Sequence, residues 1–185
     1  MHLQRLPIKE LILIKPKRFD DERGFFMERY RHERYVEAGI DASFVQDNEV
    51  FSKKNVLRGL HYQQTPGQAK LISVLRGKIW DVAVDIRPSS PTFGCWEGVE
   101  LSEENGLQFY IPVGFAHGYC VLSDDAFVTY KMSAPYDPKE ERTISWNDPT
   151  LAVRWPIQEP LLSERDRMGV SFEESILCTN NKVKL

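Results

Sequence analysis

The stretch Arg58-Gly59-Leu60-His61-Tyr62-Gln63, followed shortly by Gln68 and Lys70, sets a base, a fixed cation and a titratable cation close together. An imidazole takes up a proton near neutral pH, because its unperturbed pKa is roughly 6.5. A lysine ammonium beside it stabilises the oxyanion that forms when a carbon acid loses that proton. The combination points to proton chemistry next to a carbonyl. Lys70, Asp81 and Asp85 are expected to form a polar wall beside His61. His117 sits in the glycine-flanked run Pro112-Val113-Gly114-Phe115-Ala116-His117-Gly118, and glycines allow the close backbone approach that ligand sites need. Tyr130 is a candidate acid. A phenol is weak at neutral pH, but it can protonate a strongly basic enolate.

The elements that carry these groups must solve a geometric problem. Side chains alternate along a regular strand, so Arg58 and His61, three residues apart, face opposite sides. A bulge at Gly59 would re-aim one of them; otherwise only one faces a pocket. Turn signals recur along the chain at Arg23-Gly24, Thr65-Pro66-Gly67, Arg76-Gly77, Pro88-Ser89-Ser90-Pro91 and Asn105-Gly106. Short apolar segments lie between them. This cadence predicts an all-β sandwich or barrel with a few short helices. The clearest strand is Ile79 to Ile86, with Trp80, Val82, Val84 and Ile86 on one face and Asp81, Ala83 and Asp85 on the other. Leu11 to Ile14, Phe109 to Ile111 and Ala126 to Met132 read as further strands, and Tyr130 shares a face with Val128 and Met132. Arg31 to Ala38 reads as a helix ended by Gly39. The Pro- and Trp-rich last third is expected to wrap the core irregularly, with a short helix around Ser163 to Arg167.

Composition narrows the function. The chain of 185 residues is expected to form a single domain over 1–185. Its net charge of -3 argues against a general nucleic-acid binder, but local arginines can still build a pocket for an anionic small ligand. No apolar run is long enough to span a bilayer, and the N-terminus has no secretory pattern. Cys95, Cys120 and Cys178 are odd in number, widely spaced and without a CxxC, which fits ordinary core or surface thiols in a reduced compartment. The expectation is a cytoplasmic protein without membrane or nucleic-acid partners.

Several segments, taken in order, resemble the dTDP-4-dehydrorhamnose 3,5-epimerase family of cofactor-independent cupins over nearly the whole chain. They are Phe19-Asp20-Asp21-Glu22-Arg23-Gly24-Phe25-Phe26-Met27-Glu28, Gln46-Asp47-Asn48 with Ser52, Val56 to Gln63, and Gln68 to Leu71. Gly77 with Asp81 to Arg87, Ser90 to Gly94, Pro112 to Gly118, Tyr130-Lys131 and Leu162 to Asp166 complete the pattern. The resemblance implies a cupin-type β jelly roll and a homodimer whose N-terminal strands join the partner's sheet. It implies epimerisation of dTDP-4-dehydro-6-deoxy-D-glucose at C3 and C5, as a step toward dTDP-L-rhamnose for lipopolysaccharide or cell-wall polysaccharide.

The resemblance also implies roles. His61 would be the base in a dyad with Asp166, Tyr130 the acid on the opposite sugar face, and Lys70 the partner of the C4 enolate. Arg23, Glu28, Gln46, Asn48, Arg58, His117 and Glu141 would bind the nucleotide sugar, with Tyr136 stacked on thymine. Arg165, also placed among the binding residues, stands where the family commonly has Lys. Arg142 stands where Gly is usual after the Glu. A 4-keto sugar has acidic C–H bonds at C3 and C5, so neither a redox cofactor nor a metal is expected. The HxH pair of metal-holding cupins is absent, since Tyr62-Gln63 follows His61. Three other readings stand beside this one. They are an epimerase acting at one carbon in another deoxysugar pathway, a non-catalytic carbohydrate-binding jelly roll, and a metal-dependent cupin oxygenase.

Overall fold

A computed structural model describes residues 1–182, with side chains described through residue 177. Cys178 falls outside the described side chains; Cys95 is exposed and Cys120 buried, both as free thiols. Eleven strands and three short helices follow one another along the described chain. The strands are β1 (His2–Arg5), β2 (Ile12–Lys15), β3 (Arg18–Asp21), β4 (Gly24–Met27), β5 (Gln46–Lys53), β6 (Leu57–Gln63), β7 (Lys70–Asp85), β8 (Trp96–Ser102), β9 (Gln108–Ile111), β10 (Phe115–Met132) and β11 (Glu141–Thr143). The helices are α1 (His32–Glu37), α2 (Glu164–Arg167) and α3 (Phe172–Lys182). None of them is long and apolar enough to cross a membrane.

Two long antiparallel strands organise this jelly roll. β7 and β10 pair along most of their length, with register shifts between Val121 and Ala126 and between Phe127 and Val128. On its outer edge β7 pairs first with β9 and then with β8. β10 pairs first with β6 and then with β5. The sheet runs β1-β2-β9-β7-β10-β6-β11, with β5 and β8 branching from the long strands. The β3–β4 hairpin forms a separate two-stranded sheet.

Alternation along β7 produces two apolar layers. Ile79 and Ala83 join Ile72, Leu101, Phe109 and Val128 in one core. Val82 and Val84 face the other way and pack with Leu60, Tyr62, Ile144, Leu151 and Phe172, supplied partly by the C-terminal third. The alternation of Ile79 to Ile86 is thus present, but within a strand that begins at Lys70 and ends at Asp85. The helix read over 31–38 is α1, and Gly39 follows it at a φ of +82°. α2 lies where a short helix was expected. α3 was not anticipated, because among its described side chains only Phe172 and Ser175 are buried.

The problem of Arg58 and His61 is solved by the backbone. His61 pairs with His117 and Arg58 with Tyr119, so three steps on β6 oppose two on β10. The extra residue is a bulge, and it turns both side chains to the same cavity. Gly59 adopts a φ of +134° there, where a side chain is strained. A Cβ at Gly59 would lie 2.5 Å from Gly118 Cα and 2.9 Å from the His117 carbonyl oxygen. Gly59→Ala is therefore expected to lower stability by about 2–4 kcal/mol, as strain and overpacking combine. Chemical denaturation checks this; a midpoint equal to that of the parent protein would contradict the close-approach account.

Candidate active site

The cavity between β5, β6, β7 and β10 holds about 560 Å³ and is lined by His61, Lys70, His117 and Tyr130. β6 contributes Arg58 and His61 through the bulge, and β7 contributes Lys70 at its first residue. β10 places His117, Tyr119, Tyr130 and Met132 on the cavity wall, and β5 places Gln46, Asn48 and Val50 there. These positions alternate along each strand, so period two explains why they converge. Ser163, Arg165 and Asp166 close one side from α2 and its N-cap.

Two distant segments build the His–Asp dyad. His61 Nε2 lies 2.6 Å from Asp166 Oδ1. The Asp166 side chain is 3% exposed and that of His61 14%. Ser163 Oγ donates to Asp166 Oδ2 at 2.6 Å and accepts from the Asp166 amide at 3.1 Å. The Gly59 amide donates to Oδ1 at 3.3 Å, so the bulge also orients the carboxylate. Burial pushes the Asp166 pKa up, but the hydrogen bonds from His61 and Ser163 outweigh it and hold the group below its ordinary value. An ionised Asp166 takes the Nε2–H and leaves Nδ1 as the proton-accepting nitrogen. Burial lowers the His61 pKa against the pull of Asp166, while Arg165 and Lys70 lower it further. At neutral pH the imidazole is thus a neutral base.

Lys70 is buried, which brings its pKa down to about 8; Glu141 and Asp81 oppose that shift and Arg165 adds to it. It remains cationic at neutral pH and can hold an enolate oxygen. His117 turns Nε2 to Asp81, at 3.0 and 3.1 Å from the two carboxylate oxygens. Arg58 Nε donates to Ser52 Oγ at 3.0 Å.

A polar cluster forms the mouth. Tyr136, 46% exposed, donates its hydroxyl to Glu141 Oε2 at 2.9 Å and its amide to Gln46 Oε1 at 2.9 Å. Arg165 pairs with the same Glu141 oxygen. Gln46 Nε2 donates to Asn48 Oδ1 at 3.0 Å. Arg142 turns away, donating to the Lys139 and Glu141 carbonyls at 2.8 Å, so it leaves the Glu141 carboxylate to Arg165 and Tyr136.

Four residues named from the sequence do not line the cavity. Asp81, expected in the polar wall, is buried beneath His117. Asp85 is not part of the polar wall. It accepts from Arg87, Ser90 and Thr92 and organises the loop after β7. Arg23, at the turn between β3 and β4, pairs with Asp21. Glu28, just past β4, pairs with Arg34 and Arg31. Neither Arg23 nor Glu28 lines the cavity of its own chain. Tyr119, Val50, Met132 and Ser163 also line the cavity, beyond the residues that the sequence motifs mark. Tyr119 and Val50 follow His117 and Asn48 by two residues, so strand period alone would have found them. Among the described residues, no three His, Cys, Asp or Glu side chains gather as a metal site.

A β jelly roll with a carboxylate-oriented imidazole, a buried ammonium and a tyrosine around one cavity is the framework of an isomerase that moves protons on a carbon acid. The chain belongs to the dTDP-4-dehydrorhamnose 3,5-epimerase family, whose model matches residues 5–174. It is 50% identical over 177 residues to the dTDP-4-dehydrorhamnose 3,5-epimerase of Shigella flexneri, covering 95% of this chain and 98% of that protein. The crystal structure of dTDP-6-deoxy-D-glucose-3,5-epimerase from Legionella pneumophila Philadelphia 1, in complex with dTDP-4-keto-L-rhamnose, superposes with a TM-score of 0.91 at 50% identity, covering 93% of each chain. A dTDP-4-dehydrorhamnose 3-epimerase of Streptomyces niveus is 40% identical over 95% of this chain and 86% of its own length.

Burial of His61 and Lys70 leaves an interval of pH in which the imidazole is neutral and the ammonium charged. His61 binds its proton more weakly than a free imidazole, so the acid limb of kcat/KM is expected below about pH 6.5. Lys70 loses its proton as pH rises, which places the alkaline limb near pH 8. A pH–rate profile checks both; an acid limb above 6.5 would contradict the neutral-base assignment of His61.

Proposed function

We propose that this protein epimerises dTDP-4-dehydro-6-deoxy-D-glucose at C3 and C5, giving dTDP-4-dehydro-L-rhamnose. The observation that carries this reading is the convergence of the His61–Asp166 dyad, Lys70 and Tyr130 on one cavity. His61 Nδ1 takes the proton from a carbon α to the C4 ketone, and Asp166 stabilises the imidazolium. The electron pair moves onto the ketone oxygen, where Lys70 meets the developing charge. Tyr130 returns a proton on the opposite face and the carbon inverts. His61 and Tyr130 act at C5 and C3 in turn. Arg58 and His117 supply donors for the diphosphate, Gln46, Asn48, Glu141 and Arg165 line the path to the mouth, and Tyr136 offers a ring for thymine. No redox cofactor or metal enters these steps. The same reading places the reaction in the cytoplasm, on the way to rhamnose-containing polysaccharide, with the 185-residue chain as one catalytic unit.

The reading includes a homodimer of cupin type. The β3–β4 hairpin lies outside the main sheet, and Phe19, Phe25 and Phe26 on it are 51%, 54% and 68% exposed. An isolated two-stranded hairpin is marginal in water, and such a cluster of exposed aromatics favours burial. A hairpin that docks on a second protomer would cover these rings and carry Arg23 and Glu28 to the partner's cavity.

A single-carbon epimerase is the second reading, because the Streptomyces niveus relative is named for C3 alone. Incubation with dTDP-4-keto-6-deoxyglucose, followed by NMR of the product, separates the two. Inversion at both C3 and C5 is expected; inversion at one carbon selects the second reading, and no inversion overturns both. Tyr130→Phe is expected to keep solvent deuterium uptake while epimerised product falls about 10²-fold or more. Normal epimerisation by that variant would remove Tyr130 from proton donation.

Mixing tests the shared site. Arg23→Ala and His61→Asn homodimers, exchanged into heterodimers, are expected to regain activity. One site then holds an intact His61 beside the partner's intact Arg23. Activity that stays at the sum of the separate variants would contradict the exchange.

A further inference from the structure

Asp81 on β7 is fully buried and does not itself line the cavity. Both its oxygens face one nitrogen, His117 Nε2. The register explains the contact. Tyr119 pairs with Asp81 and His117 with Ala83, so Asp81 and His117 are diagonal neighbours on one face of the sheet. A buried carboxylate is retained only where cations and hydrogen bonds offset its lost hydration. His117 and Lys70 are the groups that favour its charge, against a burial that pushes its pKa up.

Resting on the epimerase reading above, we propose that Asp81 is a positioning residue for the reaction. It fixes His117 so that Nδ1 is the ring nitrogen left for the substrate, and it supplies a buried counter-charge to Lys70.

The charges around Lys70 come from several elements. Asp81 lies on its own strand, Glu141 on β11, Arg165 on α2, and His61 with Asp166 on β6 and α2. Tyr130 and His117 face the same cavity from β10. Glu141 is already engaged by Arg165 and Tyr136. Arg165 disfavours the lysine's charge, so it counters part of what Glu141 provides. Asp81 has no arginine partner among the hydrogen bonds and ion pairs of the described residues. Its charge therefore acts on His117 and Lys70 together. Asparagine in its place keeps the shape and removes the charge. Lys70 then holds its proton less tightly.

The test is the pH dependence of solvent deuterium uptake into dTDP-4-keto-6-deoxyglucose, compared between the parent protein and Asp81→Asn. The parent protein must exchange; if it does not, the epimerase reading fails first. With exchange in place and the thermal midpoint of the variant showing a folded protein, the alkaline limb is expected to move down by about one pH unit or more. A limb that stays near its parent position in a folded variant overturns the proposal and leaves Asp81 as packing. If Asp81→Asn does not fold, imidazole ¹⁵N NMR of the parent protein decides. His117 protonated on Nε2 throughout the neutral range supports the proposal, and a neutral Nδ1–H tautomer overturns it.

Discussion

Gly59 and Gly118 meet so closely that neither has room for an ordinary side chain: a Cβ on Gly118 would lie 2.9 Å from the Arg58 carbonyl oxygen. This contact permits the bulge in β6, and much of the site follows from the bulge. Without it Arg58 and His61 would face opposite sides of the sheet. With it, both reach the cavity, and the Gly59 amide turns toward Asp166. One backbone irregularity thereby turns His61 to the cavity, orients its partner carboxylate and places a fixed cation beside them.

The electrostatics of the cavity depend on withholding water. Burial lowers the proton affinity of both His61 and Lys70, and each keeps a carboxylate that resists the shift. The imidazole stays neutral and the ammonium stays charged over a shared interval of pH. That is the combination an enolate mechanism requires, since one group must accept a proton while the other offers positive charge. The carboxylates differ in position. Asp166 is held by Ser163 at a helix N-cap, Asp81 is sealed under His117, and Glu141 sits at the mouth with Arg165 and Tyr136. Each one favours a proton on a different part of the site.

Much of this was legible in the sequence where local rules apply. Alternation marked β7 and the faces of Asp81 and Val82, and Gly59 marked the bulge because a glycine in a strand interior signals one. The His61–Asp166 contact spans a sequence separation of 105 residues, and no local pattern carries it; it came from resemblance. Asp85 was misplaced because period two puts it on the face of Asp81, whereas at the end of β7 the chain turns and Arg87, Ser90 and Thr92 capture it. α3 was missed because little of its surface is buried, leaving a weak apolar stripe. Arg23 lies at the turn of a hairpin outside the main sheet and Glu28 just past it, so neither reaches the cavity of its own chain, and strand period within the sheet does not bear on them.

The central claim is that His61 removes the carbon-bound proton. The most direct measurement combines calorimetric binding of the dTDP-sugar with deuterium exchange from D₂O, in His61→Asn. The account predicts affinity close to that of the parent protein and exchange at C3 and C5 reduced on the order of 10²–10⁴-fold. Near-parental exchange by this variant would contradict the account and assign the proton transfer to another group.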